Sequence, residues 1–285
     1  MSMECYKEKK FNKASLLIID TANQIIKEYA DAGYDLTLRQ LYYQFVSRGL
    51  IENKQKEYKR LGSVINNARM AGFIDWDAIV DRTRTLRQTS HWKNTSEIIE
   101  SCVQCFKLDK WKNQDYRPEV WIEKDALVGV IAGICEQLDV PYFSCRGYTS
   151  QSSMWGASKR MLYHNQIPFI IHLGDHDPSG IDMSRDIRDR LHIFGINDLV
   201  FKRIALNRSQ VDKYNPPPNP AKLTDTRAYE YISEHGEESW ELDALEPKVI
   251  VSLIKGTVLS VRDENLWQGA VDAENKCIQQ LKDFC

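Results

Sequence analysis

Two carboxylates follow a short apolar run near the middle of the chain. Residues 169–171 suit a buried strand, and Asp175 and Asp177 come after Gly174. Because alternate residues of an extended chain project to the same side, these carboxylates face one spot. Paired carboxylate oxygens suit a hard divalent cation such as Mg²⁺. The Asp-x-Asp spacing alone is a weak signal, since solvated loop acids account for it equally well.

A third carboxylate, Glu123, ends an earlier apolar segment, residues 119–122. The carboxyl ends of parallel strands share one edge of a sheet, so we expect Glu123 to converge with Asp175 and Asp177. Three carboxylates cannot stay ionised together without a cation, so this convergence predicts a Mg²⁺ site. Such a site could hold a phosphodiester and neutralise charge on the leaving oxygen.

Basic and imidazole groups flank these acids. Lys124 could contact a phosphate, although an exposed lysine is an equally good interpretation. Arg146 opens a turn after the next predicted strand and is a candidate for positioning the phosphate backbone. His176 lies between the two aspartates and should point the other way, so we predict a structural role for it. His172 is interpreted as a strand histidine rather than a ligand.

The elements around these residues alternate between strand and helix. Apolar runs with turn residues between them predict strands at 119–122, 140–143, 169–171 and 199–205, and helices at 126–138, 151–163 and 181–194. Such alternation is typical of an α/β fold, a parallel sheet with helices on both faces. Further helices are predicted at 240–245, 247–261 and 264–284.

The N-terminal part has a different pattern. Helices are predicted at 14–30, 38–49 and 56–70, followed by a strand or wing at 73–80 and a fourth helix at 91–112. Basic residues surround them: Lys54, Lys56, Lys59, Arg60, Arg69, Arg82, Arg84 and Arg87. This pattern is typical of a winged helix-turn-helix that binds DNA, and an ordinary helical domain with a solvated basic face is the alternative.

The bulk composition sets further limits. The 285 residues carry 38 Lys plus Arg and 40 Asp plus Glu, so the chain lacks an overall nucleic-acid charge signature. The seven cysteines have neither disulfide-framework nor zinc spacing, which predicts free thiols in a reducing cytoplasm. The location expected is therefore the cytoplasm, at the nucleoid, or the nucleus if the organism is eukaryotic. No signal peptide or apolar run of membrane length occurs, so no membrane partner is expected.

Two adjacent tyrosines lie in the second predicted helix. Arg39 precedes Tyr43 by four residues and Tyr42 by three, so either phenol could share its helix face. A phenol has a pKa near 10 and is a poor nucleophile when neutral. A nearby guanidinium can favour the phenolate or hold a phosphate. Spacing alone does not choose between the two tyrosines, and both could be core aromatics.

Three segments together carry a family resemblance. The stretch from Val120 to Leu127 and the one from Leu173 to Gly180 resemble a Toprim domain, with its Glu and later Asp-x-Asp. Residues 38–43 resemble the Arg-x-x-Tyr-Tyr motif in the winged helix of topoisomerase VI A subunits and related meiotic double-strand-break transesterases. Residues 241–245 are similar to the family's Glu-x-x-Ala-Leu segment. The resemblance covers roughly residues 37–245 and is greatest to the stand-alone Mini-A type.

The resemblance implies a function and a domain plan. It implies Mg²⁺-dependent cleavage of double-stranded DNA, with Tyr43 as nucleophile forming a 5′-phosphotyrosyl bond. The tyrosine of one subunit would meet the carboxylates of the other in a homodimer. The domains expected are an arm at 1–12, a winged helix at 13–115, a Toprim domain at 116–245 and C-terminal helices at 246–285.

The sequence leaves three questions about partners and function open. Strand passage in this family needs a GHKL-type ATPase, and this chain has no glycine-rich nucleotide lid, so a separate subunit would be required. A Toprim nuclease that uses water is one alternative function. A DNA-binding adaptor without chemistry is the other.

Overall fold

The centre of the fold is a sheet of four parallel strands in the order β2-β1-β3-β4. A computed structural model describes residues 3–34, 36–80 and 89–283 of the chain. The strands are β1 (Tyr116–Ile122), β2 (Tyr142–Ser144), β3 (Ile167–Leu173) and β4 (Val200–Ala205). This sheet confirms the predicted α/β class.

Helices cover both faces of the sheet because its central strands are apolar on both sides. On β1, Val120 and Ile122 pack in one buried cluster with α5 (Val128–Gln137). Trp121 points to the other face, into a cluster formed with two further helices. These helices are α6 (Gln151–Tyr163) and α7 (Pro178–Ile193). Strands β1 and β3 pair over seven residues and finish level, with Ile122 opposite Leu173.

Three helices near the N-terminus enclose a hydrophobic core of their own. They are α1 (Lys13–Asp31), α2 (Leu38–Ser47) and α3 (Gln55–Met70). Helix α2 begins after Thr37, whose side chain accepts a hydrogen bond from the Gln40 amide while the Gln40 side chain returns one to Thr37. This capping box fixes where the tyrosine-bearing helix starts.

The predicted strand or wing at 73–80 is not a strand. Residues 72–78 mostly form turns and bends, and Ile79 meets Leu36 in one isolated parallel bridge. The arginines predicted just beyond this segment, Arg82, Arg84 and Arg87, lie outside the described residues.

The fourth helix, α4 (Thr95–Cys105), is shorter than the predicted 91–112. Beyond Phe106 the chain is drawn to another element, because the Leu108 amide and the Lys110 ammonium both donate to Glu274. This tertiary contact replaces the helical hydrogen bonds that local sequence would otherwise favour.

The remaining elements follow β4. They are α8 (Arg208–Tyr214), β5 (Asn219–Pro220), α9 (Ala228–His235), β6 (Glu238–Ser239), a 3₁₀ turn (Leu242–Ala244), α10 (Pro247–Leu259) and α11 (Glu264–Lys282). The helix predicted at 240–245 is therefore reduced to one 3₁₀ turn. Among the described residues, every helix is too short or too polar to cross a bilayer.

Candidate functional site

Glu123 and Asp175 meet at the carboxyl edge of the sheet, where the sequence places them. The Glu123 amide donates to the Leu173 carbonyl at 2.8 Å, which continues the ladder between β1 and β3 by one residue. The Asp175 amide then donates to the Glu123 carboxylate at 2.8 Å. Two of the three predicted ligands are thus neighbours.

Two further acids complete a cluster around Asp175. Carboxylate oxygens of Asp175, Glu241 and Asp243 all lie within 4.8 Å of one another, and we call these three residues the acid cluster. The Leu242 amide donates to Asp175 at 2.8 Å, so this contact holds the segment that carries Glu241 and Asp243 against the sheet. Hard oxygen donors at this separation suit Mg²⁺.

One oxygen of the acid cluster is buried without a partner. The Asp243 side chain is fully buried, one oxygen accepts from Arg39, and its Oδ1 has no hydrogen-bond donor among the described residues. A buried carboxylate oxygen without a partner costs free energy, which a bound cation would offset. The acid cluster therefore fits a divalent cation, because its donor atoms are carboxylate oxygens and one buried oxygen still lacks a partner.

Two cations of the protein itself lie among the acids. The Lys124 ammonium is 2.6 Å from Asp175 and 2.8 Å from Glu241, and its side chain is only 17% exposed. The Arg39 guanidinium is 2.9 Å from Glu241 and 3.0 Å from Asp243. Lys124 was predicted as a DNA contact and instead bridges two members of the acid cluster.

The charges of these groups do not cancel. Among the described residues, Glu123, Asp177 and the acid cluster supply five carboxylates, whereas only three cations, Lys124, Arg39 and Arg203, act on them. Burial raises the pKa of Asp175, and the charge of Glu123 raises it further. Burial also acts on Glu241, but Lys124 and Arg39 outweigh it and lower the pKa of Glu241 to about 2. The excess negative charge favours uptake of either a proton or a metal ion.

Tyr43 adjoins the acid cluster within the same chain. The residue is only 5% exposed, and its hydroxyl faces Glu241, whose charge, like that of Asp243, acts on the phenol. The Arg39 guanidinium lies 5.7 Å from the centre of its ring. Burial raises the pKa of Tyr43, and the charges of Asp243 and Glu241 add to this more than Arg39 opposes it. The phenol is therefore neutral in this arrangement.

Tyr42 has different surroundings. Its hydroxyl donates to the Asn53 side chain at 3.0 Å, and its ring packs edge-on against Tyr43 and Tyr58. The two tyrosines that spacing could not distinguish are thus separated by structure. Of the pair, Tyr43 is the one whose hydroxyl contacts a member of the acid cluster.

Asp177 acts as the N-cap of α7. Its carboxylate accepts from the Gly180 amide at 2.6 Å and from the Ser179 hydroxyl at 3.0 Å. A carboxylate at this position also interacts favourably with the positive end of the helix dipole. Its charge still raises the pKa of Glu123, after the larger effect of burial, so the two groups lie near one another.

The double role of Asp177 leads to a prediction. Asparagine caps a helix about as well as aspartate, so Asp177→Asn should change the melting temperature little. If Asp177 also ligates the metal, the same change should weaken Mg²⁺ binding by at least about tenfold. Thermal unfolding and Mg²⁺ titration calorimetry of the same sample separate the two roles. Unchanged Mg²⁺ affinity would restrict Asp177 to capping.

The other predicted DNA contacts divide by exposure. Lys56, Lys59 and Arg60 are exposed on α3, where Arg60 pairs with Glu57 one turn away. Arg146 is also exposed, with 71% of its side chain accessible, and pairs with Asp125. These four groups are available to an incoming phosphate backbone.

Arg69, the remaining predicted DNA contact, is engaged inside the N-terminal core. Its guanidinium donates to the Trp76 carbonyl at 2.6 Å and lies 4.7 Å from the centre of the Trp76 ring. This contact fixes the turn that follows α3.

The two histidines beside the acids have partners of their own. His176 is buried, its Nδ1 lies 2.7 Å from the Tyr231 hydroxyl, and its backbone pairs with Trp240. That pairing brings the segment carrying the acid cluster to the sheet edge. His172 is fully buried and its Nδ1 contacts the Ser184 hydroxyl at 3.0 Å. Both contacts are structural.

The sequence analysis did not identify Glu241 and Asp243 as candidate ligands. They share the two-residue spacing of Asp175 and Asp177, and that spacing was the available signal. No family model matches the chain, and no curated protein matches it.

Proposed function

We propose that this chain is a Mg²⁺-dependent DNA transesterase that uses Tyr43 as its nucleophile. The observation that carries the proposal is the pairing of Arg39, one turn before Tyr43 on α2, with Glu241 and Asp243, which brings the buried Tyr43 phenol to the acid cluster. A nucleophile and a set of metal-binding oxygens thereby meet at one place. This juxtaposition, and the resemblance to topoisomerase VI A subunits, point to the same chemistry.

The reaction exchanges one ester for another. The Tyr43 oxygen attacks a DNA phosphorus, a tyrosyl phosphoester forms at the 5′ end, and the bond to the 3′ oxygen breaks. The phenol loses its proton, and the departing 3′ oxygen gains one. Glu123 and the acid cluster would hold Mg²⁺, which neutralises charge on the phosphate oxygens when bound.

The resting arrangement must change before this reaction begins. Arg39 and Lys124 neutralise part of the charge of the acid cluster, and the Tyr43 phenol beside Glu241 keeps its proton. Mg²⁺ held by Glu123 and the acid cluster would supply that neutralising charge in place of the two cations. Arg39 and Lys124 can then bind the scissile phosphate beside Tyr43.

The N-terminal helices and the sheet would have separate roles, the first in binding DNA and the second in holding Mg²⁺. We propose that residues 13–115 act as a winged-helix-like DNA-binding unit and residues 116–245 as a Toprim unit. The exposed Lys56, Lys59 and Arg60 on α3 suit contacts to phosphates. Double-stranded DNA, a second copy of the chain and a separate GHKL-type ATPase are the proposed partners.

The test is to trap the covalent intermediate. Purified protein is incubated with labelled supercoiled DNA and Mg²⁺, then denatured with detergent. A transesterase leaves label on the protein, and EDTA added beforehand abolishes it. A water-dependent nuclease is the second candidate, favoured by the burial and raised pKa of Tyr43. It cuts the DNA without labelling the protein.

A mixing experiment decides which subunit supplies each half of the site. Tyr43→Phe and Asp175→Asn chains are co-expressed with tags of different size. In a site shared between subunits, the mixed dimer keeps one intact site, and the covalent adduct migrates with the Asp175→Asn chain. Random pairing should give roughly a quarter of the wild-type adduct.

The control is Tyr43→Phe co-expressed with a chain carrying both substitutions, which leaves no intact site in either arrangement. If the site lies within one chain, as the Tyr43–Glu241 contact allows, the mixed dimer also has none. Absence of adduct from the mixture would therefore contradict the shared site but leave transesterification by the wild type intact.

A further inference from the structure

Arg203, at the carboxyl end of β4, lies beneath the loop that joins β3 to α7. Its Nη2 donates to the carbonyls of Gly174 at 3.0 Å, Asp175 at 2.6 Å and Leu206 at 3.2 Å. Its Nη1 donates to the Gly180 carbonyl at 2.8 Å and the Ser184 hydroxyl at 3.1 Å. One guanidinium thus ties the loop, the start of α7 and the end of β4 together.

Two of these bonds hold the peptide groups on either side of Asp175. The orientation of a side chain follows from its backbone, so fixing both carbonyls fixes the direction of the Asp175 carboxylate. The same carboxylate accepts from the Leu242 amide and pairs with Lys124. Arg203 therefore acts on the central member of the acid cluster without touching its carboxylate oxygens.

The glycines of the loop fit this arrangement. A Cβ added to Gly180 would lie 2.3 Å from the Asp175 carbonyl oxygen, so that close approach requires glycine. A Cβ added to Gly174 would meet Glu123 at 3.0 Å and the Arg203 guanidinium at 3.2 Å. The backbone therefore lies close to the Arg203 guanidinium both before and after Asp175.

Packing alone does not explain why the charged guanidinium of Arg203 is buried at this position. Within the part of the chain that the structure describes, the buried Arg203 Nε has no hydrogen-bond partner, and a buried guanidinium costs more free energy than an apolar side chain of similar volume. An apolar residue could fill the space but could not hold carbonyl groups in place. Outer hydrogen bonds of this kind orient metal ligands in many proteins.

We propose that Arg203 is a positioning residue for metal binding, which holds the Asp175 carboxylate in the direction that a divalent cation needs. The inference rests on the proposed Mg²⁺ site and adds the group that preorganises it. It concerns the affinity for Mg²⁺ itself, so it can be measured without DNA.

The test is Mg²⁺ binding to the full chain, measured by titration calorimetry with MgCl₂ alone. Arg203→Met should weaken Mg²⁺ binding by about 10- to 100-fold. Arg203→Lys keeps the charge but reaches fewer of the five acceptors, so it should recover part of that loss. The matched control is Arg185→Met on α7, whose guanidinium pairs with surface aspartates. It should bind Mg²⁺ as the wild type does.

The outcomes distinguish this inference from the proposed function. Wild-type affinity in a folded Arg203→Met protein would overturn the inference alone. Absence of Mg²⁺ binding in the wild type would overturn the metal site and the inference with it. If Arg203→Met does not fold, Arg203→Lys decides: weaker Mg²⁺ binding at wild-type melting temperature supports positioning, and unchanged binding refutes it.

Discussion

Tyr43→Phe is expected to remove the covalent protein–DNA adduct and to lower the cleavage rate by at least about 10³-fold. The substitution deletes the one oxygen that would attack phosphorus and leaves the ring in place. The hydroxyl faces Glu241, so the substitution removes that one interaction and keeps the packing of the ring. The measurement is label retained on the protein after detergent trapping, together with the rate of supercoil loss.

The adjacent tyrosine supplies a matched control. Tyr42→Phe removes a hydroxyl bonded to Asn53, so it should cost about 1 kcal/mol of stability and spare cleavage. A water-dependent nuclease would predict a different result, because both variants would continue to cut. Retention of cleavage by Tyr43→Phe would thus exclude the tyrosine mechanism, and loss in both variants would indicate a general defect of α2.

Asp175→Asn is the second change with a large expected effect. Asp175 is almost fully buried at the centre of the acid cluster and is hydrogen-bonded to neighbouring segments. Removing its charge should weaken Mg²⁺ binding by at least about 100-fold, because outer partners of a ligand already contribute 10- to 100-fold. Cleavage should fall in parallel.

The same variant separates an enzyme from an adaptor. Asn can still accept from the Leu242 amide, and the site loses one of its excess negative charges, so the metal-free protein should keep or raise its melting temperature. DNA affinity in EDTA, measured by fluorescence anisotropy, should stay near the wild-type value. Asp186→Asn, which breaks a surface pair with Arg190, is the control and should leave Mg²⁺ binding unchanged. Cleavage by Asp175→Asn at the wild-type rate would exclude the acid cluster from the chemistry.

The sheet was predictable because its strands are short, apolar and separated by amphipathic helices. Ile170 and Ile171 are completely buried, and their run of apolar neighbours indicates that burial without any tertiary information. The meeting of Glu123 and Asp175 follows from parallel pairing alone. These parts depend on local pattern and on one rule of sheet geometry.

The acid cluster was not predictable in full, because part of it depends on a long-range contact. Residues 240–245 were predicted as a helix, in which Glu241 and Asp243 would point in different directions. In the structure Glu241 has an extended backbone, and Trp240 pairs with His176 across 63 intervening residues. That pairing turns both acids toward Asp175. A sequence pattern does not contain such a contact.

Similar long-range effects explain the other differences. Asp177 has the spacing of a ligand but also the position of a helix cap, and only its hydrogen bond to Gly180 shows the second role. Arg69 was predicted as a DNA contact, although its guanidinium lies over the Trp76 ring. Charge and spacing indicate which residues can do chemistry, whereas their partners decide which are free to do it.

The contact of Arg39 with Glu241 and Asp243 joins positions about two hundred residues apart in the chain. The two segments therefore depend on each other, because loss of the guanidinium would leave Asp243 without its ion-pair partner and Glu241 with Lys124 alone. Separate expression of the two halves should yield fragments with incomplete sites. A circular permutation that keeps both halves on one chain should preserve the assembly. The two ion pairs of Arg39 thus require α2 and the segment that carries Glu241 and Asp243 to be inherited together.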